Sequence, residues 1–207
     1  MKRNAYVLAV DRNSREVYQT KSVLSHVGFN VILVDIIPHK DVAISNKLGM
    51  LSIYKTILET DEDWCYIFED DINIVDDISI DEIIQYESIS EHMFYLGCCT
   101  HPSTQYVETA NKIGNHDVYS VSNVRCLTGL GVRRTSVPLL LNTIESNNQV
   151  KFLDELIGRV FTCNHPSNVV RRYTKAPDEP GHIGAFYQDR KTFPSRWHPT
   201  NWKRDDN

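Results

Sequence analysis

The chain has no run of about 18 consecutive apolar residues, the length a helix needs to cross a bilayer, so no membrane-spanning helix is expected. Its opening, Met1-Lys2-Arg3-Asn4-Ala5-Tyr6-Val7, has the charge of a signal peptide, but the apolar stretch stops at Asp11 and reads as a strand. There is no Asn-x-Ser/Thr sequon. The five cysteines are too few, and odd in number, for a disulfide framework. Cys99-Thr-His101 and Cys163-Asn-His165 are spaced more narrowly than the ligands of structural zinc sites, so the cysteines are expected to be small buried hydrophobes. A cytoplasmic location is the expectation these absences favour. A surplus of positive charge is also missing. The net charge of −5 disfavours a dedicated nucleic-acid binder, whose affinity rests on neutralising phosphates.

What is present is ordinary globular composition, with 41% apolar and 24% charged residues in 207, enough for one domain with a sizeable core. The charges are unevenly placed. No Lys or Arg occurs from Thr56 to Asn111, a stretch with acids throughout, whereas basic residues gather near both ends. That distribution suits either a solvated acidic surface or a cation in the middle and a phosphate toward the ends.

The first third alternates in period. Ala5 to Val10 is an apolar run stopped by Asp11-Arg12-Asn13-Ser14, a loop with helix-capping chemistry. Val17, Leu24 and Val27 recur at helical spacing, and Gly28 ends that helix. Asn30 to Ile37 reads as a second strand. Ser45 is expected to cap a helix with Leu48, Leu51, Tyr54 and Leu58 on one face. Trp64 to Phe68 is a third strand, delivering Glu69-Asp70-Asp71 at its end. This order predicts an α/β fold, a doubly wound and mostly parallel sheet flanked by helices, with ligands bound beyond the carboxyl ends of the strands. Asp11-Arg12, Asp35 and the three acids would then meet at one edge.

The second half is less regular. Met93 to Leu96, Val118 to Val121 and Gly129 to Val132 read as strands, with a polar loop through Asn115 between the first two. Ser136 to Glu145 and Phe152 to Val160 read as helices, the latter with Asp154 and Glu155 in its first turn. The Pro-, Gly- and aromatic-rich stretch 174–207 is expected to be an irregular C-terminal lid or wrap. In it Trp197 reads as core, while Phe186, Tyr187 and Trp202 suit either core or an acceptor platform.

Three consecutive acids after an apolar strand repel one another unless a positive group neutralises them. Oxygen-only donors at a strand end suit Mg2+ or Mn2+, with substrate phosphates completing the shell. The succession Tyr6-Val-Leu-Ala-Val-Asp-Arg12, Lys47-Leu-Gly-Met-Leu-Ser52, Ile67-Phe-Glu-Asp-Asp-Ile72, Leu127-Thr-Gly-Leu-Gly-Val-Arg-Arg134 and Val150-Lys-Phe-Leu-Asp-Glu155 resembles glycosyltransferase family 25 and, more broadly, the GT-A superfamily. That resemblance covers most of residues 4 to 160.

The resemblance implies a metal-dependent transferase that moves a sugar from a nucleotide-diphosphate donor, UDP-linked by analogy, to a glycan or glycoprotein acceptor with inversion. It implies a single domain, with a nucleotide-binding half over 1–75, an acceptor-side half over 76–173 and the wrap over 174–207. Asp71 would bind the Mn2+ or Mg2+, Asp70 would contact the donor sugar or the metal's waters, and Glu69 the ribose. Val10, Asp11, Arg12, Asp35 and Lys47 match donor-binding positions. Asp154 matches the general base, with Glu155 as the fallback. His182, in Pro180-Gly-His-Ile-Gly184, is the candidate late metal ligand, with His165 and His198 behind it. Arg171, Arg172, Lys175 and Lys191 are candidates for the diphosphate. A metal-dependent nucleotidyltransferase is the nearest alternative, disfavoured because Asp11-Arg-Asn-Ser-Arg15 lacks the glycine of such loops. A non-catalytic nucleotide- or glycan-binding relative is the other.

Overall fold

The computed structural model describes residues 3–75, 77–99, 103–170, 182–189 and 192. The chain opens with β1 (Asn4–Ala9), α1 (Arg15–Val27), β2 (Asn30–Asp35), α2 (Val42–Leu58) and β3 (Trp64–Phe68). β1 pairs in parallel with β2 on one side and β3 on the other, so the three strands end at one edge, as the alternating pattern predicts. Every residue of β3 is buried, as a central strand covered on both faces requires. α1 starts where the Ser14 hydroxyl accepts the Val17 N–H and stops at Gly28, whose φ of 110° suits glycine.

β4 (Ile72–Ile74), α3 (Ile80–Ile89), β5 (Met93–Cys99), β6 (Gln105–Ile113), β7 (His116–Ser122) and β8 (Arg125–Arg133) follow. Then come α4 (Val137–Ser146), α5 (Leu153–Glu155), a π-helical stretch Leu156–Phe161 and α6 (Thr162–Asn164). The strands β9 (Ser167–Val170), β10 (His182–Gly184) and β11 (Phe186–Gln188) are the last described. The central sheet has the order β2-β1-β3-β8-β5-β9-β7-β6, with β10 added to β5. β2, β1, β3, β5, β9 and β6 run one way and β8 and β7 the other. In direction the sheet is mostly parallel, with the reversed β8 in its middle.

Helices cover both faces. Ile53, Tyr54 and Ile57 of α2, Leu140 and Ile144 of α4 and Leu156, Ile157 and Phe161 of the π-helical stretch pack on one. Leu24 and Val27 of α1, Ile83 and Tyr86 of α3 and the buried Ala185 and Phe186 pack on the other. Each such large apolar side chain contributes roughly 1.5–3 kcal/mol by leaving water.

The structure corrects several expectations. Asp41, not Ser45, caps α2; Ser45 lies inside the helix and its hydroxyl donates to the Ile37 carbonyl at 2.6 Å. The buried face of α2 is Ser45, Gly49, Met50, Ile53, Tyr54 and Ile57, and Leu58 is exposed. Gly49 sets that rotation, since a Cβ there would come within 2.5 Å of Leu8. The expected polar loop before Asn115 is largely the strand β6, whose mostly exposed residues pair with β7 through a turn at Gly114. The last helix is π-helical through its middle, because Gly158 packs against the Val124 carbonyl with no room for a side chain.

The cysteines divide. Cys65 and Cys98 are buried thiols, as expected, each pushed up to about 12 with burial the largest cause. Cys163 is exposed, and Cys99 is bonded to Cys126, tying the end of β5 to the start of β8. Such a bond weighs against the cytoplasmic expectation, since a reducing compartment does not ordinarily keep it. No helix among the described residues is long and apolar enough to cross a membrane.

Within the C-terminal stretch, 182–189 is a strap rather than an irregular lid. The Ala185 N–H donates to the Leu96 carbonyl at 2.7 Å, and the Val75 N–H donates to the Ala185 carbonyl at 2.8 Å. β11 then pairs with β4, and Phe186 is fully buried core. Gly184, with a φ of 111°, is the packed end of this strap, where a Cβ would lie 2.4 Å from the Leu96 carbonyl. Trp197, Trp202 and His198 lie outside the described residues. Gly184→Ala is expected to destabilise the protein by at least ~2 kcal/mol through backbone strain and overpacking, read as a lower urea midpoint.

Candidate active site

The carboxyl ends of β1, β2 and β3 assemble the first half of the site. Asp70 Oδ2 accepts the Val10 N–H at 3.0 Å, joining the turn after β3 to the loop after β1. The buried Thr20 hydroxyl of α1 donates to the Asp70 carbonyl at 2.9 Å and accepts the Ile72 N–H at 3.0 Å. Asp71 sits between those two bonds, and its carbonyl accepts the Asp189 N–H of the strap at 2.8 Å. Glu69, Asp70 and Asp71 are all half-buried. Glu69 accepts a hydrogen bond from the Gln188 side-chain amide.

Arg12 and Asp35 meet, but chiefly each other. The guanidinium makes a two-pronged contact with the Asp35 carboxylate, at 2.5 and 3.0 Å, and also donates to the Leu33 carbonyl. The hydrogen bond from Arg12 holds the Asp35 carboxyl below its ordinary value. Both residues are exposed, so the pair orders the rim of the site and adds little stability. Asp11 is exposed and its side chain accepts the Asn13 N–H, shaping the loop. Lys47 lies farther off on α2, its ammonium donating to the Val150 carbonyl at 3.1 Å.

The second half of the site is carried by β8, which pairs directly with β3 through Phe68 and Gly129. Its first residues, Arg125 and Cys126, therefore lie at the same edge as the acid turn. Asp154 packs beside them. Burial raises the Asp154 carboxyl above its ordinary value and the charge of Glu155 adds to that; the backbone amides of Glu155 and Cys126 and the charge of Arg125 oppose it. The fully buried Tyr54 and Tyr95 hydroxyls find no hydrogen-bond partner among the described residues, and the charge of Asp154 is near enough to raise Tyr95. Glu155 is engaged differently, accepting from Arg159 one turn on at 3.0 Å. Of the two acids, Asp154 is the desolvated one and Glu155 the ion-paired one.

The backbone of His182 lies opposite Cys99 on β5. β8 and β5 separate it from β3, three strand spacings or roughly 14 Å at backbone level. His165 stacks edge-on against His92, with ring centroids 4.8 Å apart. His92 adjoins Arg133 and Ser136, at the opposite end of β8 from Arg125. Arg171, Arg172, Lys175 and Lys191 lie outside the described residues.

Among the described residues no three His, Cys, Asp or Glu side chains are grouped to hold a metal by themselves. The donors present at the acid turn are carboxylate oxygens. These fit Mg2+ or Mn2+, ions that take one or two protein carboxylates and complete their shell with phosphate and water.

Two residues of the strap, Gln188 and Asp189, belong to the site without any signal in the sequence. The Asp189 carboxylate accepts from Gln19 at 3.2 Å, Asn73 at 3.4 Å and the Thr192 N–H at 3.1 Å. Burial alone would raise it, but donors from Thr192, Gln19 and Asn73 together bring it below its ordinary value. Asp189 thus fastens α1, β4 and the strap behind Asp71. The contacts with Gln19 and Asn73 join residues distant in sequence, which no local pattern announces.

No family model matches the chain, and none of the curated proteins does. Solved structures similar to it include the apo form of the glycosyltransferase GlyE from Streptococcus pneumoniae TIGR4, at 11% identity and a TM-score of 0.45 over 81% of this chain. The chain spans 44% of that protein. A197 from STIV matches at 13% identity and a TM-score of 0.43, over 84% of this chain and 86% of the other. A glycosyltransferase involved in the glycosylation of the major capsid of PBCV-1 matches at 8% identity and a TM-score of 0.43, over 80% and 78%. All these scores lie below 0.5, so what the site does is read from its own residues.

Thr20→Val removes the hydroxyl that bridges the acid turn and leaves the buried Ile72 N–H without its acceptor. The expected loss is about 1–3 kcal/mol in chemical denaturation, with Thr20→Ser recovering most of it.

Proposed function

We propose that the protein is a glycosyltransferase that moves a sugar from a nucleotide-diphosphate donor, a UDP-sugar, to a glycan or protein acceptor, with a divalent metal and inversion at the anomeric carbon. One observation carries this reading: two acidic centres of different character share one edge of the sheet. The turn Glu69–Asp71 is half-buried and held by amide and hydroxyl donors. Asp154, half-buried as well, has its carboxyl raised, burial being the largest cause. Sugar transfer asks for that division, because one centre must face the phosphates and the other must take a proton. The ordered resemblance of residues 4 to 160 to glycosyltransferase family 25 belongs to the same reading.

In this assignment Asp71 would hold Mn2+ or Mg2+, with Asp70 beside it toward the metal's waters or the donor sugar, and an ion held there would offset the charge that develops on the departing nucleoside diphosphate. Val10 and Asp11 form the loop against the nucleotide, and Arg12 with Asp35 fixes its rim. The Asp154 carboxylate accepts the proton of the acceptor hydroxyl as that oxygen attacks the anomeric carbon. Partial burial makes the carboxylate a stronger base than an exposed one.

Two outcomes test the role of Asp154. Its carboxylate must be ionised to act, so kcat is expected to fall with decreasing pH along a limb above the ordinary carboxylate value of 3.8. In the folded state ionising this buried group is unfavourable, so its protonated form is the stabilised one and that stability is lost as pH rises. Asp154→Asn is therefore expected to lower kcat by at least ~100-fold, leave donor affinity intact and slightly raise thermal stability at neutral pH. Wild-type turnover in that variant removes Asp154 from the mechanism.

A further inference from the structure

The segment that opens β8 is held more firmly than a connecting turn requires. Asn123 and Cys126 both adopt positive φ, 56° and 59°, without being glycine. Such backbone persists only where its surroundings fix it, and it gathers at functional sites. Here five contacts fix it. The Asn123 side chain donates to the Ser103 hydroxyl at 2.7 Å, and the Thr104 hydroxyl donates to the Asn123 carbonyl at 2.8 Å. The Asn123 N–H donates to the buried Thr162 hydroxyl at 3.0 Å, and the Val124 N–H donates to the Gly158 carbonyl at 3.1 Å. The disulfide to Cys99 closes the other end.

The side chain presented by this frame is Arg125. Its Nε is buried and has no hydrogen-bond partner among the described residues. Its charge reaches Asp154, yet no ion pair forms between them among the described residues. A guanidinium beside a carboxylate, both half-buried as here, ordinarily pairs with it in a two-pronged contact. Kept from that, Arg125 retains its fork of donors for an oxyanion arriving from outside. It stands on the strand hydrogen-bonded to the one that ends in Glu69-Asp70-Asp71, so an anion reaching the acid turn meets it from the β8 side.

We propose that Arg125 binds the phosphoryl oxygens of the donor diphosphate and is the cation that neutralises the leaving group from the side opposite the acid turn. This rests on the transferase reading and adds to it a residue that the sequence pattern does not single out. The same cation, close to Asp154, opposes in small part the rise that burial gives that carboxyl.

The test is calorimetric titration of UDP, and separately of inorganic pyrophosphate, in Mn2+, into the wild type, Arg125→Gln and Arg125→Lys, each with a thermal melt. The expected result is binding of both ligands by the wild type, weakened about 10- to 100-fold in Arg125→Gln with partial recovery in Arg125→Lys, at unchanged melting temperature. Loss on pyrophosphate as well as UDP places the contact on phosphate and not on base or ribose. Wild-type affinities in Arg125→Gln would overturn this inference and leave the transferase reading standing. Failure of the wild type to bind either ligand would overturn both. Should Arg125→Gln unfold, Arg125→Lys alone decides, by weakened binding in a folded protein or by unchanged binding.

Discussion

Concentrating three carboxylates where a fully buried strand reaches the surface is the constraint around which this protein is arranged. Neighbouring negative charges repel, and their half-burial deprives them of water that would screen the repulsion. The chain answers with the Val10 N–H on the Asp70 carboxylate and the Gln188 amide on Glu69, while the Thr20 hydroxyl of α1 holds the turn through the Asp70 main-chain carbonyl. Behind them Asp189 gathers Gln19, Asn73 and Thr192. A turn held this tightly keeps its oxygens in place before a ligand arrives, which is what allows fixed carboxylates to bind a cation without paying to be ordered.

The same edge carries a second device with a different logic. Around Asp154 desolvation outweighs the Glu155 and Cys126 amides and the Arg125 charge that reach it. Positive-φ residues, a disulfide and a π-helical stretch lock the neighbouring segment 123–126, and each is a local departure from regular structure. Of these, the positive-φ backbone costs free energy of order 1–3 kcal/mol per residue, and such strain accumulates where geometry matters more than stability. The concentration of these departures beside Asp154, and not around the more deeply buried pair Tyr66 and Glu87, distinguishes this corner from the rest of the molecule.

Residues whose partners are close in sequence, or whose period is clean, were legible. The alternation from Ala5 to Phe68 gives β1, α1, β2, α2 and β3 with their carboxyl ends at one edge, and Ser14 and Gly28 bound the first helix as their chemistry requires. The apolar periodicity of α2 misplaces its buried face because Gly49, by its close approach to Leu8, decides the rotation, and a glycine carries no hydrophobic signal. The pattern over β6 looks like a loop since nearly all its residues face water, which removes the alternation that marks a strand. The Cys99–Cys126 bond and the strap contacts of Gln188 and Asp189 depend on pairings across β5, β8 and β4 that no local pattern contains. At the site, the acid turn and Asp154 could be named from the sequence, whereas the mutual pairing of Arg12 and Asp35 and the presentation of Arg125 required the fold.

The central claim is that the edge bearing Asp70 and Asp71 receives a nucleotide diphosphate through a divalent metal. Titrating UDP into the protein in Mn2+ and again in EDTA, with Asp71→Ala beside the wild type, tests it most directly. The account predicts micromolar binding that is lost on chelation and lost in Asp71→Ala. Binding indifferent to both metal and Asp71 would contradict it, and so would the absence of binding to UDP and to every other nucleoside diphosphate.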